Sequence, residues 1–309
     1  TAKKMADIFF GKFSKLISKD DSLSYKEKPK SSEQGSTNQI MENKKRISWT
    51  LLDEHFKGTS WNPFVGCEKI SSGCKNCYAL HDAYRFEHKR PYYTGVTAKE
   101  NGKIKFTGVI NRQDSQFYKP RNERKPHIYF LNSMSDFFHP NAHDAWRLEV
   151  IEIMEECDRH LFQLLTKRTD EMIKFFDRHP NVKLPQNVWL GATVESAEYV
   201  HRIKELITVP ASVHFLSLEP LLSAIPDLPL NDIEWVIVGG ESEKSNDKRR
   251  SMELSWVVDI QQQCKTANVP FFFKQWGHWK NNPLSAGGRL AVEKHDTMTK
   301  GGELLNGQL

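Results

Sequence analysis

The chain has 309 residues, 38% hydrophobic and 27% charged, with a formal net charge of +5. That suits one large α/β domain or two modest ones, and it admits an anionic partner such as nucleic acid without requiring one. It excludes a bilayer-spanning stretch, because no apolar run approaches the roughly 20 residues needed. It also excludes a disulfide framework, because three of the five cysteines crowd into one short segment.

Residues 1–46 are rich in Ser, Lys, Glu and Gln and predict a disordered leader. Phe9, Phe13, Leu16 and Ile17 share one helical stripe, so a short docking helix competes with a fraying terminus. The opening TAKKMADIFFGKFSKLISK interleaves its apolar residues with Lys and Ser, which is not the pattern of a secretory signal. Cytoplasmic residence is the expectation.

Next comes SWNPFVGCEKISSGCKNCYAL, with Cys67, Cys74 and Cys77 spaced Cys-x6-Cys-x2-Cys. Residues 90–125 follow without clean periodicity and hold nine Lys and Arg against three Asp and Glu. That balance suits phosphate contact or a solvated basic face, and the segment's lead into the next strand places it toward the opposite rim.

From residue 125 strand-length apolar runs alternate with helix-period segments. HIYFLNS (127–133), LFQLLTK (161–167), NVWLGATV (187–194), SVHFLSLEP (212–220), EWVIVGGES (234–242) and PFFFKQW (270–276) predict strands. Residues 142–157, 168–179, 196–207 and 253–268 predict helices. Near-continuous apolar strands alternating with helices indicate buried parallel strands. With one strand before Cys67, the expected fold is α/β: a partial (β/α) TIM-like barrel of about six to seven parallel strands over residues 47–280. A doubly wound open sheet is the second choice. Residues 281–309, rich in Gly and Asn, are expected to be a loosely held C-terminal tail.

This register puts polar residues just after each apolar run: Asn132–Asp136, Lys167–Arg168, Thr193–Glu195, Glu219, Glu241–Ser242 and Lys274–Gln275. In both architectures the carboxyl ends of parallel strands form the active face. Ser196 and Thr169 read as helix caps, as do His139 and His143 at the second helix.

Three uses compete for the thiols. Zinc would take Cys74, Cys77 and Cys67, with His81 or His88 as a fourth ligand. A redox Cys-x2-Cys would not need Cys67. An iron–sulfur cubane held by three thiolates would keep one iron open for a substrate or cofactor. Cys157 and Cys264 lie alone in helical patterns and read as packing.

The segments SWNPFVGCEKISSGCKNCYA, FLNSMSDFFH, FQLLTKR, VWLGATVES, FLSLEPLL, WVIVGGES and VPFFFKQWG, in that order, resemble a phage and bacterial three-cysteine-motif family. Members of that family are regarded as divergent radical S-adenosylmethionine (SAM)-like proteins, distantly similar to spore photoproduct lyase. The resemblance covers roughly residues 47–280. Two departures from the wider superfamily stand out: its first cysteine gap is three residues rather than six, and its Gly-Gly-Glu follows the second strand. Here NSMSD takes that place, and Gly239-Gly240-Glu241 follows the sixth strand.

The resemblance implies a [4Fe-4S] cluster on Cys67, Cys74 and Cys77, and cleavage of SAM to a 5′-deoxyadenosyl radical. It also implies an external electron donor. Asp136 or Ser133 would then accept from the SAM ammonium, and Lys167 or Arg168 would meet its carboxylate. Thr193 and Glu195 would hold the ribose, while Gly239 and Gly240 would allow close backbone approach and Glu241 would join the same site. Glu219, Lys274, Gln275 and Trp276 would face substrate, although Glu219 or Glu241 paired with Arg168 or Lys274 is equally a scaffold, and a plain packed strand end competes for Lys274, Gln275 and Trp276. A nucleic-acid or nucleotide substrate, for modification or repair, is the expected class, and a co-encoded protein partner is conceivable. The alternative is a non-catalytic iron–sulfur or zinc-stabilised module that binds nucleic acid or a partner. A zinc hydrolase would want a motif such as HExxH, which is missing.

Overall fold

The computed structural model describes residues 56–242, 250–295 and 301–305. The expected leader, residues 1–46, lies outside them. Seven strands form one all-parallel sheet: β1 (Lys57–Trp61), β2 (His127–Leu131), β3 (Leu161–Thr166), β4 (Val188–Thr193), β5 (Val213–Leu218), β6 (Trp235–Gly239) and β7 (Phe271–Gln275). They neighbour one another in chain order, and the sheet curls into a half-barrel with β1 and β7 as its edges. A doubly wound sheet would reverse its strand order partway, so that second choice is excluded.

Helix α1 (Tyr78–Phe86) lies in the β1–β2 connection, α2 (Asp144–Glu156) follows β2, α3 (Thr169–Arg178) follows β3 and α4 (His201–Leu206) follows β4. Helix α5 (Leu254–Thr266) joins β6 to β7. Acidic Asp170 and Glu171 open α3 and Arg178 closes it, matching charge to the helix dipole. No helix bridges β5 and β6. Leu221, Ile225, Leu228 and Ile233 fill that space in the core instead, and Gln263 of α5 pins the segment through Ile225 O at 2.8 Å and Leu228 N at 2.9 Å.

Side chains alternate across the curled sheet, with one register shift between β6 and β7 after Val238. Val188, Leu190 and Ala192 of β4 join the outer core under the helices. Trp189 joins an inner cluster with Ile128, Leu161, Val213, Phe215, Trp235 and Ile237. Toward the carboxyl ends this inner column turns small and polar, with Thr193 registered against Ser217 and Gly239 ending β6. The alternation therefore builds an aromatic floor beneath a polar mouth.

The β1–β2 connection is a lobe with its own core of Val65, Ala79, Leu80, Ala83, Tyr93, Val96 and Phe106, joined by Met134 from just past β2. Cys67 and Cys77 pack against that core. A ribbon of Thr97–Glu100 and Lys103–Phe106 lies on α1, so this part of the basic segment sits beside the cysteine loop and not at the opposite rim.

The tail is also better held than its composition suggests. Helix α6 (Gly288–His295) forms, and Gly302 O and Leu304 O accept from the backbone and indole N–H of Trp276, at 3.0 and 2.9 Å. No helix among the described residues is long and apolar enough to cross a membrane.

Candidate functional site

The cysteine loop leaves β1 through Asn62. Its amide donates to Ser133 Oγ at 3.0 Å and accepts from Met134 N at 2.9 Å, which locks the ends of β1 and β2 together. Gly66 then turns at φ +108°, where a Cβ would stand 2.0 Å from Val109 O. No other residue fits there, and Cys67 is delivered by that turn. A 3₁₀ turn covers Ser72–Cys74, and Cys77 is the N-cap residue of α1.

The three thiols share one electrostatic neighbourhood. Burial, and then the charge of Asp136, push Cys67 up to about 12, while Arg168 opposes the shift and Cys77 and Cys74 add to it. Burial likewise raises Cys77, against hydrogen bonds from the Ala79 and Leu80 N–H groups at the start of α1. No group of three or more His, Cys, Asp or Glu among the described residues is gathered tightly enough to hold a single metal ion. A cubane makes a different demand, because it spreads its three thiolates over three separate irons.

The strand ends hold this loop from several sides. Tyr78 hydroxyl donates to Ser133 O at 3.1 Å, and Arg168 Nη2 donates to Glu68 O at 3.2 Å. Ser71 hydroxyl donates to Glu195 Oε1, and Asn76 donates to Glu241 Oε2 at 2.9 Å. Glu195 has no exposed surface and pairs with Arg202 at 2.7 Å, with Lys167 at 3.9 Å. Burial alone would raise its carboxyl, but the charges of Lys167 and Arg202 outweigh it and the carboxyl is lowered. Glu241 pairs with Arg250, and the hydrogen bonds from Arg250 and Asn76 overcome the upward pull of burial.

The predicted residues thus divide. Glu195 and Glu241, read as cofactor contacts, are committed to the loop. Asp136 clamps β2 to β3, accepting from Phe138 N, Thr166 Oγ1 and Lys167 N at 3.0, 2.7 and 3.0 Å. Gly240 is required by the Trp276 carbonyl, 2.2 Å from where its Cβ would stand. Trp276 is corrected outright: it is fully buried in the core, its ring tilted against that of Phe273, and it does not face the mouth. Glu219 pairs with Lys274 and accepts from Gln275 at 3.1 Å, the scaffold arrangement anticipated as the alternative. Thr193 stays on the inner face.

The capping roles change as well. The side chains of His143 and Ser196 make no cap hydrogen bond, and Thr169 instead donates to Glu205.

Three buried atoms at this end have no partner: Arg168 Nε, Asn132 Oδ1 and Gln275 Oε1. An orphan donor beside Cys67 and two orphan acceptors fit a ligand that carries both a carboxylate and an ammonium group. Asn62, Ser71, Asn76, Arg202 and Ser217 were not singled out from sequence. Ser71 and Asn76 lie inside the cysteine motif, which was the available signal. Arg202 sits seven residues past Glu195 on the buried side of α4, and only the fold brings the two together.

No curated protein and no solved structure matches the chain significantly. A family model matches residues 45–309, which takes in the cysteine lobe, the half-barrel and the tail together. The chain belongs to the DUF5131 family, described as a protein family of unknown function.

Proposed function

We propose that the chain is a radical SAM-like iron–sulfur enzyme, with Cys67, Cys74 and Cys77 holding a [4Fe-4S] cluster and the barrel mouth binding SAM. The observation that carries this reading is three mutually interacting thiols in one loop over the carboxyl ends of an open parallel barrel, beside a buried arginine with an unpartnered Nε. When bound, and reduced by an external donor, the cluster would supply the electron that splits SAM into methionine and a 5′-deoxyadenosyl radical.

The chain's own residues do the positioning. Arg168 Nε and the Lys167 ammonium supply positive charge for the SAM carboxylate. Asn132 Oδ1 is the open acceptor in the segment where Ser133 and Asp136 are already engaged, and it accepts a hydrogen bond from the SAM ammonium. Thr193 and Ser217, side by side on β4 and β5, offer hydroxyls to the ribose. The Glu219–Lys274 pair and Gln275 Oε1 face substrate from the β5 and β7 side. A nucleic-acid or nucleotide substrate is supported by the lobe's charge, thirteen Lys and Arg against six Asp and Glu over residues 62–126.

A zinc-stabilised binding module is less favoured. One ion needs its ligands converged on one point, and a closed structural site has no use for three orphaned polar atoms. The test is anaerobic incubation of reconstituted protein with SAM and dithionite. Release of 5′-deoxyadenosine by wild type and by Cys157→Ala, but not by Cys67→Ala, supports the reading. Release equal to a protein-free control refutes it.

A further inference from the structure

Metal-binding loops commonly take their shape from the metal, because nothing else orders them. The Cys67–Cys77 loop has other supports. Glu195 and Glu241 reach it from β4 and β6, each already charged and anchored by its own arginine, Arg202 and Arg250. Ser71 donates to Glu195 at one end of the 71–76 segment, and Asn76 donates to Glu241 at the other. Between them Gly73 lies so close that a Cβ would stand 2.6 Å from Glu195 Oε1. Ser71 Oγ also lies 3.6 Å from Cys74 Sγ, so the hydroxyl that meets Glu195 touches a thiol as well.

We infer that Glu195 and Glu241 are positioning residues which build the cysteine loop before any cluster is present. The carboxylates act through Ser71 and Asn76, and the barrel, not the iron, sets the orientation of Cys74. This deepens the reading of the loop as a cluster site and rests on it only for the identity of the ligand. The loop's own order is a property of the metal-free chain. The rim carboxylates therefore do for the loop what hydrogen-bond partners behind a metal ligand do elsewhere, where their loss costs roughly 10–100-fold in metal affinity.

Two measurements test it on full-length protein. Hydrogen exchange on the chelator-treated, metal-free chain reads the amides of Cys74 and Lys75, which donate to Ser71 O and Ser72 O at 3.1 and 3.2 Å. Iron retained after anaerobic reconstitution reads ligand placement. Wild type should protect those amides without metal. Ser71→Ala, which leaves the Glu195–Arg202 pair intact, should lower that protection about tenfold and weaken iron retention by roughly 10–100-fold. Gly73→Ala removes no polar group but wedges the loop off Glu195 and should do the same. Adding Glu195→Asp, one methylene shorter, should restore part of both in the Gly73→Ala background. A metal-free wild type whose loop exchanges like an unfolded chain overturns the inference, as do both variants retaining wild-type protection and iron. A loop protected without metal, in a wild type that takes up no iron, sinks the cluster reading and leaves the inference standing.

Discussion

Acid should unfold this barrel through one histidine in particular. His139 has no exposed surface; its Nδ1 accepts from Asn141 N at 3.2 Å and its Nε2 has no partner. Burial, then the charges of Arg168 and Arg147, lower its pKa from 6.5 to about 4. The folded chain thus refuses a proton that the unfolded chain accepts below about 6.5. Stability supplied by the neutral ring is complete above pH 6.5, declines as pH falls toward 4, and levels off below. At 1.36 kcal/mol per unit, the full loss is about 3 kcal/mol. Urea unfolding of wild type and His139→Gln from pH 7.5 to 4.5 measures it. The variant should lose less stability across that range, by about 2 kcal/mol or more. Buried His160 shifts in the same direction and contributes to both curves, so subtraction removes it. Parallel curves would show that His139 does not titrate as its surroundings require.

Three substitutions separate the loop's supports from the core. Arg202→Met leaves the buried Glu195 carboxylate without its nearest cation, and breaking such a pair from one side costs roughly 3–5 kcal/mol; urea unfolding indistinguishable from wild type contradicts this. Gly66→Ala forces a methyl against Val109 O at a left-handed φ. It should displace Cys67 and abolish iron uptake, so full iron content in that variant counts against the geometry. Trp276→Phe removes the indole donor to Leu304 O and should cost about 1 kcal/mol while leaving iron uptake intact. An iron-binding defect there would return Trp276 to the site.

The half-barrel was legible because buried parallel strands have a simple signature. HIYFL, LFQLLT, VWLGAT and VHFLSL are apolar enough on both faces to admit little else, and their polar successors mark the carboxyl ends. Partners at that end were not legible. Glu195 and Glu241 look like ligand contacts when only their strand-end positions are known. Their true contacts, Ser71 and Asn76, lie 124 and 165 residues away in sequence. Trp276 was misread for a related reason, since its burial depends on a tail whose Gly-rich composition hides how it folds back. The ribbon beside α1 escaped notice because Thr97–Glu100 and Lys103–Phe106 are short, and Lys and Glu blur their alternation. Orphaned atoms such as Arg168 Nε have no sequence signal at all.

The most direct measurement is the iron and acid-labile sulfide content of anaerobically reconstituted wild type beside Cys67→Ala, Cys74→Ala and Cys77→Ala. Three thiolates on a cubane predict about four of each per wild-type chain and loss of the cluster in every single variant. One zinc per chain with no retained iron, or a full cluster surviving removal of any of the three thiols, would contradict the account.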